Sequence, residues 1–211
     1  MTPPVQPGGD TRARLVDRFA GQLVERGYLG ISLETVASDC GIRKASLYHH
    51  FPGGKAELFR EVAMGYIDGQ AARLAAALGA GGDLAERLSA LAELYTRPGP
   101  HLPDLDQAVY QATRHLPEDL RSEISHAYVN GLIEPVTQVM SRAVADGDLS
   151  PADPGFLSWT FLTMASSLTP IPQDLAMPAG ERPEDPPDPS AAVRAVVVLF
   201  LDGARLRNDG G

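Results

Sequence analysis

The sequence predicts an all-α protein in two parts: a three-helix head near the N terminus and a larger helical body behind it. Three observations carry this. Apolar residues recur at i, i+3, i+4 and i+7 in the longer segments bounded by Gly or Pro, the spacing of one buried helix face. Within Ser32 to Leu58, SLETVASDCGIRKASLYHHFPGGKAEL, two short helical patterns meet across Gly41 and are followed by a Phe-Pro-Gly-Gly break. A length of 211 residues with 44% hydrophobic content suits a small head plus a body with its own core.

Residues 1–10, MTPPVQPGGD, read as a disordered arm because Pro and Gly dominate them. Asp10 then caps a helix over Thr11 to Gly27, whose Leu15, Phe19 and Leu23, with Val16, Ala20 and Val24, form one apolar stripe. Ser32 caps the next helix by accepting a bond from an orphan N–H, and Leu33, Val36, Ala37 and Cys40 share its buried face. Gly41 stands where the chain reverses and a positive φ is favoured, with Ile42 filling the corner. Arg43 to Phe51 form the second short helix, turning Leu47 and Phe51 inward.

Lys55 to about Leu78 reads as one long rod ending at Gly79 to Gly82, followed by a helix capped by Asp83 that runs to about Thr96. A shorter helix covers Asp104 to Arg114. Pro117 opens a long pattern to about Asp146, interrupted at Pro135, which lacks an N–H and crowds the carbonyl of Gly131. Asp153 and Pro154 start a helix through about Leu168, and Ser190 is expected to cap the last one. Residues 170–189 hold seven prolines and read as a loop.

The outward side of the second short helix carries chemistry suited to a duplex. Lys44 can neutralise a phosphate or donate to guanine, and Tyr48 places a hydroxyl on a rigid arm. Ser46 and His49, with the small Ala45 beside them, suit base edges in a major groove. Lys55, at the start of the following helix, is expected to join free backbone N–H groups in holding one phosphate. The chain has two lysines, Lys44 and Lys55, and both fall in this segment.

The segment resembles the head of the TetR family of bacterial transcriptional regulators. The matching residues are Ser32, Val36, Ala37, Gly41, Ile42, Leu47, Tyr48, Phe51, Lys55 and Leu58, a spaced set covering 27 residues. One departure is Arg43, where such proteins usually carry a Ser or Thr cap; a cap is lost and a cation gained. The resemblance implies an N-terminal three-helix helix-turn-helix DNA-binding domain over residues 11–54. It also implies a C-terminal helical ligand-binding and dimerisation domain over 55–211. It further implies a homodimer on a near-palindromic operator in double-stranded DNA, most often a repressor released by a small-molecule effector. Its expected DNA-binding residues here are Ser32, Arg43, Lys44, Ala45, Ser46, Tyr48, His49 and Lys55.

A formal net charge of −9 argues at first sight against nucleic acid, but it is unevenly placed. Residues 1–65 hold eight basic and seven acidic groups, the remainder ten and twenty, so an acidic body would be repelled while the head faces the duplex. The helix containing Phe156, Leu157, Trp159, Phe161 and Met164 and the last one, with Val193, Val197, Phe200 and Leu201, are apolar on nearly all sides. Such excess suggests burial against a second copy.

For the body, the wall formed by Tyr128, Leu132, Val136 and Met140 beside Pro135 reads equally as a cavity lining or as plain core. His101, Tyr110, His126 and Tyr128 read as polar groups that orient a small apolar ligand or, more commonly for such residues, make structural hydrogen bonds; Trp159 and Met164 complete the candidate lining. No cofactor and no metal are expected: His49, His50, His101, His115 and His126 include no i, i+4 pair. No phosphate loop or nucleophile elbow occurs, so no catalytic residues are expected. The lone Cys40 sits on a packing face and suggests no disulfide. Without a signal-like start or a run of 18 apolar residues, a cytoplasmic protein with no membrane partner is expected. The competing reading is a ligand-binding or protein-interaction module that keeps a vestigial helix-turn-helix.

Overall fold

A computed structural model describes residues 7–96, 105–169 and 188–204, and the described residues are largely helical. Helices α1 (Pro7–Gly30), α2 (Leu33–Asp39), α3 (Lys44–His50) and α4 (Gly54–Gly79) come first. They are followed by α5 (Leu84–Thr96), α6 (Leu105–Ala112), a 3-10 turn (Thr113–His115) and α7 (Glu118–Tyr128). A π turn (Val129–Ile133), α8 (Glu134–Ala145), α9 (Pro154–Ser166) and α10 (Pro189–Ala204) complete the chain. Residues 1–6 of the expected arm, the Pro98-Gly99-Pro100 break, His101 and residues 170–187 of the Pro-rich loop lie outside the described residues.

Several local signals act as the sequence suggests. Asp83 accepts from the Glu86 N–H at 2.9 Å while Glu86 accepts from the Asp83 N–H at 3.0 Å, a reciprocal cap that starts α5. Asp153 accepts from the Phe156 N–H at 2.7 Å and starts α9. Gly41 turns the chain at φ 71. Two helix starts differ from expectation. α1 begins at Pro7, so residues 7–10 are helical and Asp10 is not its cap; its regularity breaks at Gly27, φ 65. α10 begins at Pro189, and Asp188 rather than Ser190 accepts the capping bond, from the Ser190 N–H at 2.9 Å.

The interruption expected at Pro135 is a π turn just ahead of it. With Pro135 in the first turn of α8, its missing N–H falls where no intrahelical partner is needed. The Thr137 hydroxyl donates to the Ile133 carbonyl at 3.1 Å.

The chain packs as two compact units, Met1–Gly69 with Gly99–Tyr128 and Gln70–Pro98 with Val129–Gly211. The packing boundary falls inside α4, at Gly69/Gln70. In the first unit the fully buried Leu15, Phe19, Leu23, Val36, Leu47, Phe51, Leu58 and Phe59 share one core with Leu105, Val109, Leu120 and Ile124 of α6 and α7. In the second, α5, α8, α9 and α10 surround Leu88, Val136, Met140, Phe161 and Phe200, the last two rings meeting edge to face at 5.1 Å. No helix among the described residues is long and apolar enough to cross a membrane.

Candidate nucleic-acid interface

The interface is built on α3, which is too short to persist alone and is held by what it buries. Leu47 and Phe51, one turn apart, are fully buried in the first unit's core. The opposite side carries Lys44, Ala45, Ser46, Tyr48 and His49, all exposed, next to an exposed Arg43. The sequence-predicted reading residues are therefore brought together on one helix surface. Arg43 occupies the N-cap position without a side-chain cap bond, as the missing Ser or Thr implies. Ser32 also lies exposed, its hydroxyl accepting from the Thr35 N–H at a long 3.4 Å.

α2 meets α3 through a corner fixed by backbone bonds. The Gly41 N–H donates to Ser38 at 2.9 Å and the Ile42 N–H to Ala37 at 3.0 Å, both using carbonyls at the end of α2. The turn after α3 depends on Gly54, φ 61; a Cβ there would lie 3.1 Å from the Tyr48 ring. Tyr48 thus rests over a glycine and remains 43% exposed.

Lys55 differs from expectation. Its ammonium donates to the Ile31 carbonyl at 2.9 Å, lies 3.5 Å from the Leu29 carbonyl and sits 4.8 Å from the Tyr28 ring centroid. Burial lowers its pKa from the ordinary lysine value. The neighbouring Gly53 N–H is taken by the Glu57 carboxylate at 2.8 Å. The Lys55 ammonium and the Gly53 N–H thus have partners inside the head, and Lys55 braces the α1–α2 link.

Three arginines of the head carry roles that the sequence reading does not assign. Arg12 pairs with Glu61 and donates to the His50 carbonyl at 2.6 Å; Arg14 donates to the Cys40 carbonyl at 2.8 Å; Arg18 pairs with Asp39 at 2.8 Å. The carbonyls belong to the ends of α3 and α2, where cations are favoured. Only their basic character at short steps along α1 signals them. Cys40 is buried, its thiol pKa raised by burial, in keeping with a packing role.

The candidate ligand lining does not come together within either unit. Tyr110, His126 and Tyr128 belong to the first and Leu132, Met140, Trp159 and Met164 to the second. Met140 is fully buried and is core. Leu132 and Met164 are half-buried, whereas Tyr110 at 74% and Trp159 at 63% face outward. His126, exposed, has its Nδ1 3.4 Å from the Ser122 hydroxyl. A groove of about 340 Å³ in the first unit, lined by Leu23, Arg26, Tyr28, Gln107, Gln111 and His115 among others, uses none of the seven. No cluster of three metal-ligating side chains occurs among the described residues.

A buried-seam helix presenting cations, a tyrosine and small polar groups, set by a glycine corner against a preceding helix, defines a helix-turn-helix head of the class that reads duplex DNA. The model for bacterial regulatory proteins of the tetR family matches residues 20–62. Over these residues the chain is similar to the DNA-binding head of that family. The HTH-type transcriptional regulator LmrA of Bacillus subtilis is 38% identical over 50 residues, which are 24% of this chain and 27% of that protein. The match thus spans about a quarter of that relative's length.

Solved structures extend the likeness of fold to nearly the whole chain. AibR, crystallised with isovaleryl coenzyme A and operator DNA, is 21% identical with a TM-score of 0.67, covering 90% of this chain and 97% of that one. The TetR family regulator PfmR from Thermus thermophilus is 22% identical with a TM-score of 0.63, over 90% and 97% of the two chains.

Proposed function

We propose that the protein is a sequence-specific DNA-binding transcriptional regulator, a homodimer that represses from a near-palindromic operator until a small molecule binds its helical body. The observation that carries this is the division of labour on α3, with Leu47 and Phe51 buried and Lys44, Ala45, Ser46, Tyr48 and His49 exposed together. Arg43, Lys44, Ser32 and Tyr48 take phosphates, whereas Ala45, Ser46 and His49 face base edges. Lys55 supports the surface from behind.

Pairing of two chains is supported by the apolar side chains left outside the second unit's core: Phe156 and Trp159 on α9, Val198 and Leu199 on α10. Two heads set roughly 34–36 Å apart read half-sites one helical turn apart. Release by a ligand is supported by the likeness in fold to AibR, a protein crystallised with both isovaleryl coenzyme A and operator DNA. The ligand works by population shift, favouring dimers whose heads are spaced wrongly for two successive grooves. The protein acts in the cytoplasm, where its duplex is, and carries out no catalysis.

Selection from a pool of random duplexes tests the reading. Enrichment of a palindromic site is expected; weak, unselective binding would mark the module with a vestigial head instead. On the enriched site, Tyr48→Phe and Lys44→Ala should weaken binding to all duplexes alike, while Ser46→Ala and His49→Ala should change which duplexes are preferred.

A further inference from the structure

We propose that Arg12 and Glu61 form a positioning pair that fixes the orientation of α3, so that operator recognition depends on an ion pair that touches no DNA. This rests on the reading of α3 as the recognition helix. The seam of Leu47 and Phe51 sets how deeply α3 sits. Seven residues without a side-chain N-cap do little more to set its direction.

Arg12 adds what the seam lacks. Its Nε donates to Glu61 at 3.1 Å and its Nη2 to the second carboxylate oxygen, a two-pronged pairing of planar groups. Its remaining arm, Nη1, donates to the His50 carbonyl at 2.6 Å, at the last residue of α3. The guanidinium carbon also lies 4.1 Å from the Phe51 ring centroid. A single rigid plane on α1 is thereby fixed to α4 on one side and to the end of α3 on the other. His49, the last base-edge candidate along α3, is the residue immediately before the clamped carbonyl. Lysine could supply the charge but not the plane, since its ammonium is a point charge without the fork.

The pair makes a prediction whose sign separates it from simple electrostatics. Glu61→Gln removes an anion from a DNA-facing head, which by charge alone strengthens binding. A positioning role weakens it. The selected operator and a random duplex are titrated with the full-length protein, with Arg12→Lys and with Glu61→Gln, at several salt concentrations and with thermal unfolding in parallel.

Both variants should lose about tenfold on the operator, the scale of one charge-assisted hydrogen bond. Arg12→Lys should keep its affinity for the random duplex and its salt slope, because no phosphate contact is lost. Operator binding by Glu61→Gln as tight as wild type or tighter overturns the proposal. So does an Arg12→Lys loss that is equal on both duplexes with a salt slope reduced by about one, which would make Arg12 a phosphate contact. Should Glu61→Gln fail to fold, Arg12→Lys alone decides by the same two readings. A wild type that selects no duplex overturns the reading of α3 and the pair's role with it. One that selects a duplex while both variants bind it normally overturns the pair alone.

Discussion

The two units of this chain close their surfaces differently. Around α3, long-range polar contacts tie the ends of short helices and the α1–α2 link to α1 and α4: Arg12 to His50, Arg14 to Cys40, Lys55 to Ile31. In the second unit many side-chain hydrogen bonds stay within one helix, such as Ser158 to Pro154 and Thr163 to Trp159, and large apolar groups are left outside. The first arrangement suits a surface that must hold its shape alone, since short helices gain little from their own hydrogen bonds. The second suits a surface completed by something else.

Leu47→Ala should break the contrast most sharply. It empties the centre of the α3 seam and should cost about 2–5 kcal/mol. Hydrogen exchange should show the loss in the first unit's amides, with those of α9 and α10 retained; equal loss in both units would mean that they fold as one. Gly54→Ala comes next, at about 1–3 kcal/mol, because it combines a positive φ with a close approach to the Tyr48 ring. Denaturant unfolding measures it, and a neutral result would show that the turn relaxes freely.

Trp159→Ser should change subunit stability by less than about 0.5 kcal/mol, as exposed positions do, yet shift the chain towards monomer in light scattering. An unchanged mass would leave the exposed faces without the proposed partner. The smallest effect concerns Arg60 and Glu123, which join α4 to α7. The hydrogen bond from Arg60 holds the Glu123 carboxyl below its ordinary pKa. A depressed carboxylate contributes stability that is present above its unfolded value, about 4.3, and lost as pH falls through the folded one. Glu123→Gln should therefore flatten the acid side of the stability profile slightly, the pair being largely solvated.

What the sequence disclosed divides along the same line. Ser32, Gly41, Asp83 and Asp153 act on their immediate neighbours, so their roles can be read from spacing. The interruption near Pro135 is likewise visible, because a missing N–H is a property of one residue. Arg12, by contrast, reaches partners 38 and 49 residues away, and no periodicity encodes which carbonyl or carboxylate it meets. Lys55 departs from expectation for the same reason: its position at a helix start suggests an anion site, while the fold brings the Ile31 carbonyl to it. The packing of α6 and α7 with the head also rests on distant contacts. In the body, periodicity tells apolar from polar faces but cannot say which apolar face meets its own chain, so it groups Met140 with Trp159 although one is buried and the other is not.

On α3 the side chains that anchor the helix and those that meet the outside do not overlap. Leu47 and Phe51 can stay constant while Ala45, Ser46 and His49 are exchanged, because none of the three contributes to the buried seam. A head of this construction is open to evolutionary retargeting: new binding preferences can be sampled one substitution at a time without the chain having to find its fold again.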